Sequence, residues 1–115
     1  MNISLSPLAT DYVRSINDQD AARFIALFAD DAVADDAGRE FRGRDEIKAW
    51  SDREIFGARV TLEVLDVADR GAEAVVTTKV DGNFDRTGLP DPVVINHHIT
   101  ADGNKIVRLV CRLVT

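Results

Sequence analysis

At 115 residues, 45% hydrophobic and 30% charged, the chain has the size and balance of a single soluble globular domain covering residues 1–115. Its formal net charge is −6 and its 14 basic residues are scattered, which excludes the basic patch that nucleic acid or an anionic membrane surface requires. One cysteine, Cys111, leaves no internal disulfide and no cysteine-built zinc site, and no apolar run reaches the ~20 residues of a membrane span, so a cytoplasmic setting is expected.

Leu5, Leu8, Ala9, Tyr12, Val13 and Ile16 recur at helical spacing and predict a first amphipathic helix ending near Asn17, with Tyr12 on its apolar stripe. The segment NDQD is a turn rich in capping residues, after which a second helix buries Ala21, Phe24, Ile25 and Phe28. In FADDAVADD the helix gives way to a strand. Asp30 and Asp31 form the turn, Asp35 points to solvent, and Asp36 shares a face with Ala32 and Ala34. Two small side chains beside one carboxylate leave room for something else. On an inward face Asp36 would be a carboxylate in an apolar setting, its pKa raised by desolvation, and so a candidate general base. The plainer alternative is a solvated aspartate at a strand end.

AGREFRG reads as a tight turn with a short returning strand, and RDEIKAWSDREIF as a third helix with Ile47 and Trp50 on one side, stopped by Gly57. From Ala58 the pattern changes. ARVTLEVLDV, EAVVTTKV, PVVINHHIT and KIVRLVCRLV are strands rich in Val, Ile, Leu and Thr, separated by Gly, Asp and Asn turns. DGNFDRTGLPDP is a long loop, and ADGN is tight enough for a hairpin. Helices first and antiparallel strands later give an α+β domain. In the last strand Val107, Leu109, Cys111 and Leu113 alternate with Arg108 and Arg112, marking an inner face. No glycine-rich phosphate loop, metal-ligand cluster or serine-centred triad is present, so neither metal nor cofactor is expected.

Two helices, FADDAV with its acidic strand, the FRGRDEIKAW entry into a third helix, and the strand-rich tail together resemble the nuclear transport factor 2-like superfamily. Within it the chain is most similar to the SnoaL-like and ketosteroid isomerase-like branch. The resemblance covers nearly the whole chain. It implies a strongly curved, mostly antiparallel sheet wrapped as a cone around three N-terminal helices, with a deep apolar pocket. It also implies roles. Tyr12 matches the catalytic tyrosine of the first helix and Asp36 matches the general base. Asn96 or His98, counted back from Ile106, matches the second group that hydrogen-bonds the developing enolate oxygen. An amide there would donate at any pH. Trp50 would line the pocket mouth, with Leu109, Cys111 and Leu113 contributing to the wall.

The register of the fifth segment stays open. A slip of one residue would turn His97 inward and Asn96 and His98 outward. Val93, Ile95 and Ile99 make the opposite face the more hydrophobic. Either those residues are core, or they form an outer sheet face covered by a second copy, in a homodimer with His97 at the interface. Function is open in the same way. The leading expectation is cofactor-independent proton abstraction beside a carbonyl on a small, largely apolar molecule, in an isomerase, dehydratase or cyclase. The other is a non-catalytic ligand-binding or dimerisation module of the same fold.

Overall fold

The computed structural model describes residues 6–115, so Leu5 lies outside the described residues. Ser6 caps the first helix, α1 (Pro7–Asn17), by accepting the Ala9 N–H, and Pro7 sits in the first turn, where its missing N–H costs nothing. Ala9, Tyr12, Val13 and Ile16 are its buried stripe. Asp20 caps the short α2 (Ala21–Ala26) by accepting the Arg23 N–H.

Helix α2 stops before Phe28, which instead opens the strand β1 (Phe28–Asp36). Phe28 is nonetheless buried, with its ring centroid 5.1 Å from that of Phe24. An inward position follows from either assignment, so apolar spacing could not separate them. Asp30 and Asp31 also belong to β1 and not to a turn. They are exposed in an irregular stretch between Phe28 and Val33, where β1 departs from its neighbour's register. Then come β2 (Arg39–Arg42) and α3 (Gly43–Ser51), which runs on into a π-helical turn, Asp52–Phe56, before Gly57. Four long strands complete the chain: β3 (Thr61–Arg70), β4 (Glu73–Asp81), β5 (Val94–Asp102) and β6 (Lys105–Leu113).

The six strands form one mixed sheet in the order β2-β1-β6-β5-β4-β3. Only β1 and β6 run parallel, and the other neighbours are antiparallel. The sheet is curved and open, an α+β fold of the expected type. Its inner face meets the helices in a core that includes Tyr12, Phe24, Phe28, Ile47, Ile106 and Leu109, all essentially without solvent exposure. Burying each apolar side chain of this size contributes about 1.5–3 kcal/mol, so the core outweighs any surface ion pair in holding the sheet to the helices. Among the described residues no helix is long and apolar enough to cross a membrane.

One irregularity decides which side chains reach the interior. Asp102 and Ala101 pair with Lys105 and Ile106, but Thr100 pairs with Arg108, leaving Val107 as an extra residue in β6. Beyond this bulge Cys111 faces His97, Leu109 faces Ile99 and Leu113 faces Ile95. Cross-strand partners share a face, so His97, Ile95 and Ile99 all point inward. Asn96 and His98 point outward. The expected outer apolar face carrying Ile95 and Ile99 is therefore core, with Ile99 only 3% exposed.

Candidate active site

The inner face of the sheet and the helices enclose a cavity of about 420 Å³. Its walls are largely apolar. Ile16 comes from α1, Ile55 from the π-helical turn, Leu62 from β3, Val80 from β4 and Val93 from just before β5. Phe84 and Leu89 reach in from the loop between β4 and β5. The polar groups that open on it are few: Tyr12, Asp36, Arg39, Trp50, Glu54 and His97.

Asp36 arrives at the end of β1, on the same face as the fully buried Ala32 and Ala34. Those two methyl groups leave space beside it. The expected apolar setting is not what it finds, however, because one of its oxygens is already held. Oδ2 accepts from Trp50 Nε1 at 3.2 Å and from the Arg39 guanidinium at 2.7 Å. Among the described residues Oδ1 has no hydrogen-bond partner. Arg39 also grips both Glu54 oxygens, at 2.9 and 2.7 Å, and this pairing holds the Glu54 carboxyl below its usual range. The same guanidinium lies 5.6 Å from the centroid of Phe41, which stacks on Trp50. Asp36, Arg39 and Glu54 thus form a chain of alternating charge at the cavity mouth, anchored on an aromatic pair.

Tyr12, on α1, is 1% exposed and borders the same cavity. Its hydroxyl meets His97 Nδ1 at 2.8 Å, and His97 Nε2 meets Thr78 Oγ1 at 2.9 Å. Thr78 sits on β4 with no exposure, opposite Ile95, next to the Val76–His97 pair. Burial, with a smaller contribution from nearby His98, lowers the His97 pKa to about 4. The imidazole is therefore neutral at pH 7. Burial likewise pushes the Tyr12 hydroxyl well above its ordinary range and Cys111 up to about 12, so both keep their protons. Cys111 Sγ lies 3.8 Å from His97 Nδ1, a basic partner that the sequence did not reveal, yet the thiol stays protonated.

Two expected members of the site are elsewhere. Asn96 lies on the outer face and accepts from Thr77 Oγ1 at 2.6 Å, and His98 lies there with its Nδ1 3.9 Å from Glu73. Neither borders the cavity; His97 takes the inward position. Of the four expected wall residues Trp50, Cys111 and Leu113 border the cavity, whereas Leu109 is packed wholly into the core without reaching it. Asp35, expected to be plain surface, is 9% exposed on the outer face. It pairs with Arg112 at 2.8 Å and accepts the Gly38 N–H at 2.9 Å, and the Arg112 bond holds its carboxyl below the usual range. Lys79 and Arg59 are exposed and do not border the cavity.

Arg39, Glu54, Phe84, Leu89, His97 and Thr78 were not assigned to the site from sequence. For His97 a signal existed, since a slip of one residue in the fifth segment turns it inward, and the bulge at Val107 produces that register. For Glu54 none existed, because its approach to Arg39 depends on how the end of α3 crosses the turn after β1. Among the described residues no three His, Cys, Asp or Glu side chains converge as metal ligands.

The SnoaL-like domain model matches residues 9–109. A proposed polyketide cyclase of Sinorhizobium meliloti superposes with a TM-score of 0.83 at 27% identity, over 94% of this chain and 95% of that one. A Catenulispora acidiphila protein with a ketosteroid isomerase-like fold, solved with trimethylamine, gives 0.80 at 17% identity over 95% and 86%. The Delta 5-3-ketosteroid isomerase of a Mycobacterium species gives 0.71 at 18% identity over 91% and 88%. A search of curated proteins finds no match.

Proposed function

The chain belongs to the SnoaL-like domain family, and on that premise we propose that it is a cofactor-independent enzyme that removes a proton beside the carbonyl of a small, largely apolar molecule. The observation that carries this reading is the arrangement of one half-exposed carboxylate and one buried hydroxyl on a single apolar cavity. Asp36 supplies the base. Trp50 and Arg39 fix Oδ2 and so hold Oδ1, the oxygen without a partner, in one orientation. A positioned base of this kind contributes typically ~10²–10⁴-fold. Tyr12 donates to the oxygen on which charge develops, a contribution of about 10²–10³-fold for one well-placed donor in a site that excludes water. The proton later returns from Asp36 to carbon, giving isomerisation, or the enolate expels a leaving group or closes a ring. The names of the relatives, a proposed polyketide cyclase and a ketosteroid isomerase, favour this class of chemistry.

The test is hydrogen–deuterium exchange next to the carbonyl in a panel of cyclic ketones and enones, followed by proton NMR in heavy water. Catalysed exchange is expected with the wild type, and Asp36→Asn should lower it by at least 10²-fold while circular dichroism stays unchanged. Undiminished exchange in that variant would sink the mechanism.

A second reading, a non-catalytic ligand-binding module, has one observation in its favour: the Arg39 ion pair already engages the carboxylate that must act as base. Saturable binding of the same ketones without exchange would decide for it.

A further inference from the structure

We propose that Thr78 and His97 act as positioning residues that turn the Tyr12 hydroxyl proton into the cavity. The inference rests on the reading of Tyr12 as the cavity's hydrogen-bond donor. Tyr12, His97 and Thr78 form a chain with heavy-atom distances of 2.8 Å and 2.9 Å, are 1%, 5% and 0% exposed, and have one weaker side contact, Cys111 Sγ at 3.8 Å from His97 Nδ1. No water can be assumed to complete their bonding, so every hydrogen in the chain must be accounted for.

A neutral imidazole carries one N–H, and the chain can run in only two directions. In the first, Tyr12 donates to Nδ1, and Nε2–H donates to Thr78. The Thr78 hydroxyl hydrogen then needs an acceptor of its own. Among the described residues Thr78 Oγ1 has no hydrogen-bond partner except His97, and it has no exposure to solvent. Stranding a buried hydroxyl in this way lowers the population of that arrangement by roughly tenfold or more.

In the second direction, Thr78 donates to Nε2, and Nδ1–H donates to the Tyr12 oxygen. Every hydrogen inside the chain then has an acceptor, and the one left over is the Tyr12 O–H, which borders the cavity. The nearby Cys111 sulfur, 3.8 Å from His97 Nδ1, is a weak acceptor that a ligand oxygen would displace. The second direction is therefore the native one, and it fixes the Nδ1–H tautomer of His97. A hydroxyl that accepts one hydrogen bond also becomes a stronger donor through its own proton. Ligands that present a carbonyl or other oxygen acceptor to the deep wall fit this arrangement, and ligands that present only a donor do not.

The decisive measurement is a long-range proton–nitrogen correlation spectrum of uniformly ¹⁵N-labelled, ligand-free protein at pH 7. The chain has two histidines, so His98→Gln, on the outer face, leaves His97 as the only imidazole. A pyrrole-type resonance at Nδ1 and a pyridine-type resonance at Nε2 are expected. The reverse assignment overturns the inference. In Thr78→Val the preference should fall about tenfold, so that the Nε2–H tautomer becomes visible, and Thr78→Ser should restore it. An unchanged tautomer in Thr78→Val would also overturn the role given to Thr78. Should that variant fail to fold, the wild-type spectrum still decides. Because the protein is ligand-free, a wrong tautomer refutes this inference and leaves the Asp36 chemistry standing. A failed exchange experiment does the converse.

Discussion

His97 is a buried base that the fold keeps neutral, and this has a consequence for stability that can be measured without any substrate. Its folded pKa is about 4 against an ordinary value of 6.5. Between those values the unfolded chain binds the proton and the folded chain does not, so stability must fall as pH drops through this window and level off below it. At pH 5 the loss attributable to this one group is about 2 kcal/mol relative to pH 7.5. Urea titrations from pH 7.5 to pH 4.5 should show this slope in the wild type and a shallower one in His97→Gln, whose carboxylates titrate alike. Equal slopes would mean that His97 is hydrated after all. At this scale the sequence was legible where a single repeating pattern governs placement. Tyr12 falls on a helical stripe and Asp36 on a strand's alternation, and both border the cavity. The carboxylate's partners were not legible, since Arg39 and Trp50 reach it from the start of β2 and from α3, whose orientation no local pattern specifies.

Among the elements, the loop between β4 and β5 has the most direct effect on the cavity, since it places Phe84 and Leu89 in the wall. Gly82 sets its departure angle. The residue has φ of +153°, and an added Cβ would sit 2.9 Å from the Ala58 carbonyl oxygen, 3.1 Å from Val60 Cα and 3.2 Å from the Phe84 ring. Backbone on two sides cannot yield as a flexible side chain would. Gly82→Ala should therefore destabilise the fold by about 1–3 kcal/mol and displace the loop. Chemical denaturation, together with the fluorescence of Trp50, which borders the same cavity, would register both effects. Helices, strands and their order were readable from periodicity and turn residues, with the end of α2 at Ala26 and not at Phe28. The face assignment of β5 was not, because a bulge shifts pairing by one residue without leaving a gap in the alternation of β5 itself.

At the scale of the whole molecule the helices pack on the inner face of the sheet, and the residues on the outer face differ from those expected. Val75, Val94 and Val110 alternate with Thr77, Asn96 and Thr100, and all six are only partly exposed. Around them stand Arg108 and Arg112 with Asp35 and Glu73, charges of both signs, of which Arg112 and Asp35 already pair within the chain. We propose that a second copy covers this face, in a homodimer centred on Val110 and not on Ile95 or Ile99. Sedimentation velocity at micromolar concentration should show a dimer in the wild type and a monomer in Val110→Lys; a monomeric wild type would remove the proposal. The Val107 bulge has a consequence of another kind. Were β6 paired residue for residue from the hairpin with Val107 in the ladder, Cys111 would face Asn96, and the cavity wall would carry an amide where it now carries an imidazole. The chemical character of the interior is thus set by the register of one strand pair, and a shift of that register at the last hairpin can alter it in a single step that leaves every side chain's identity unchanged.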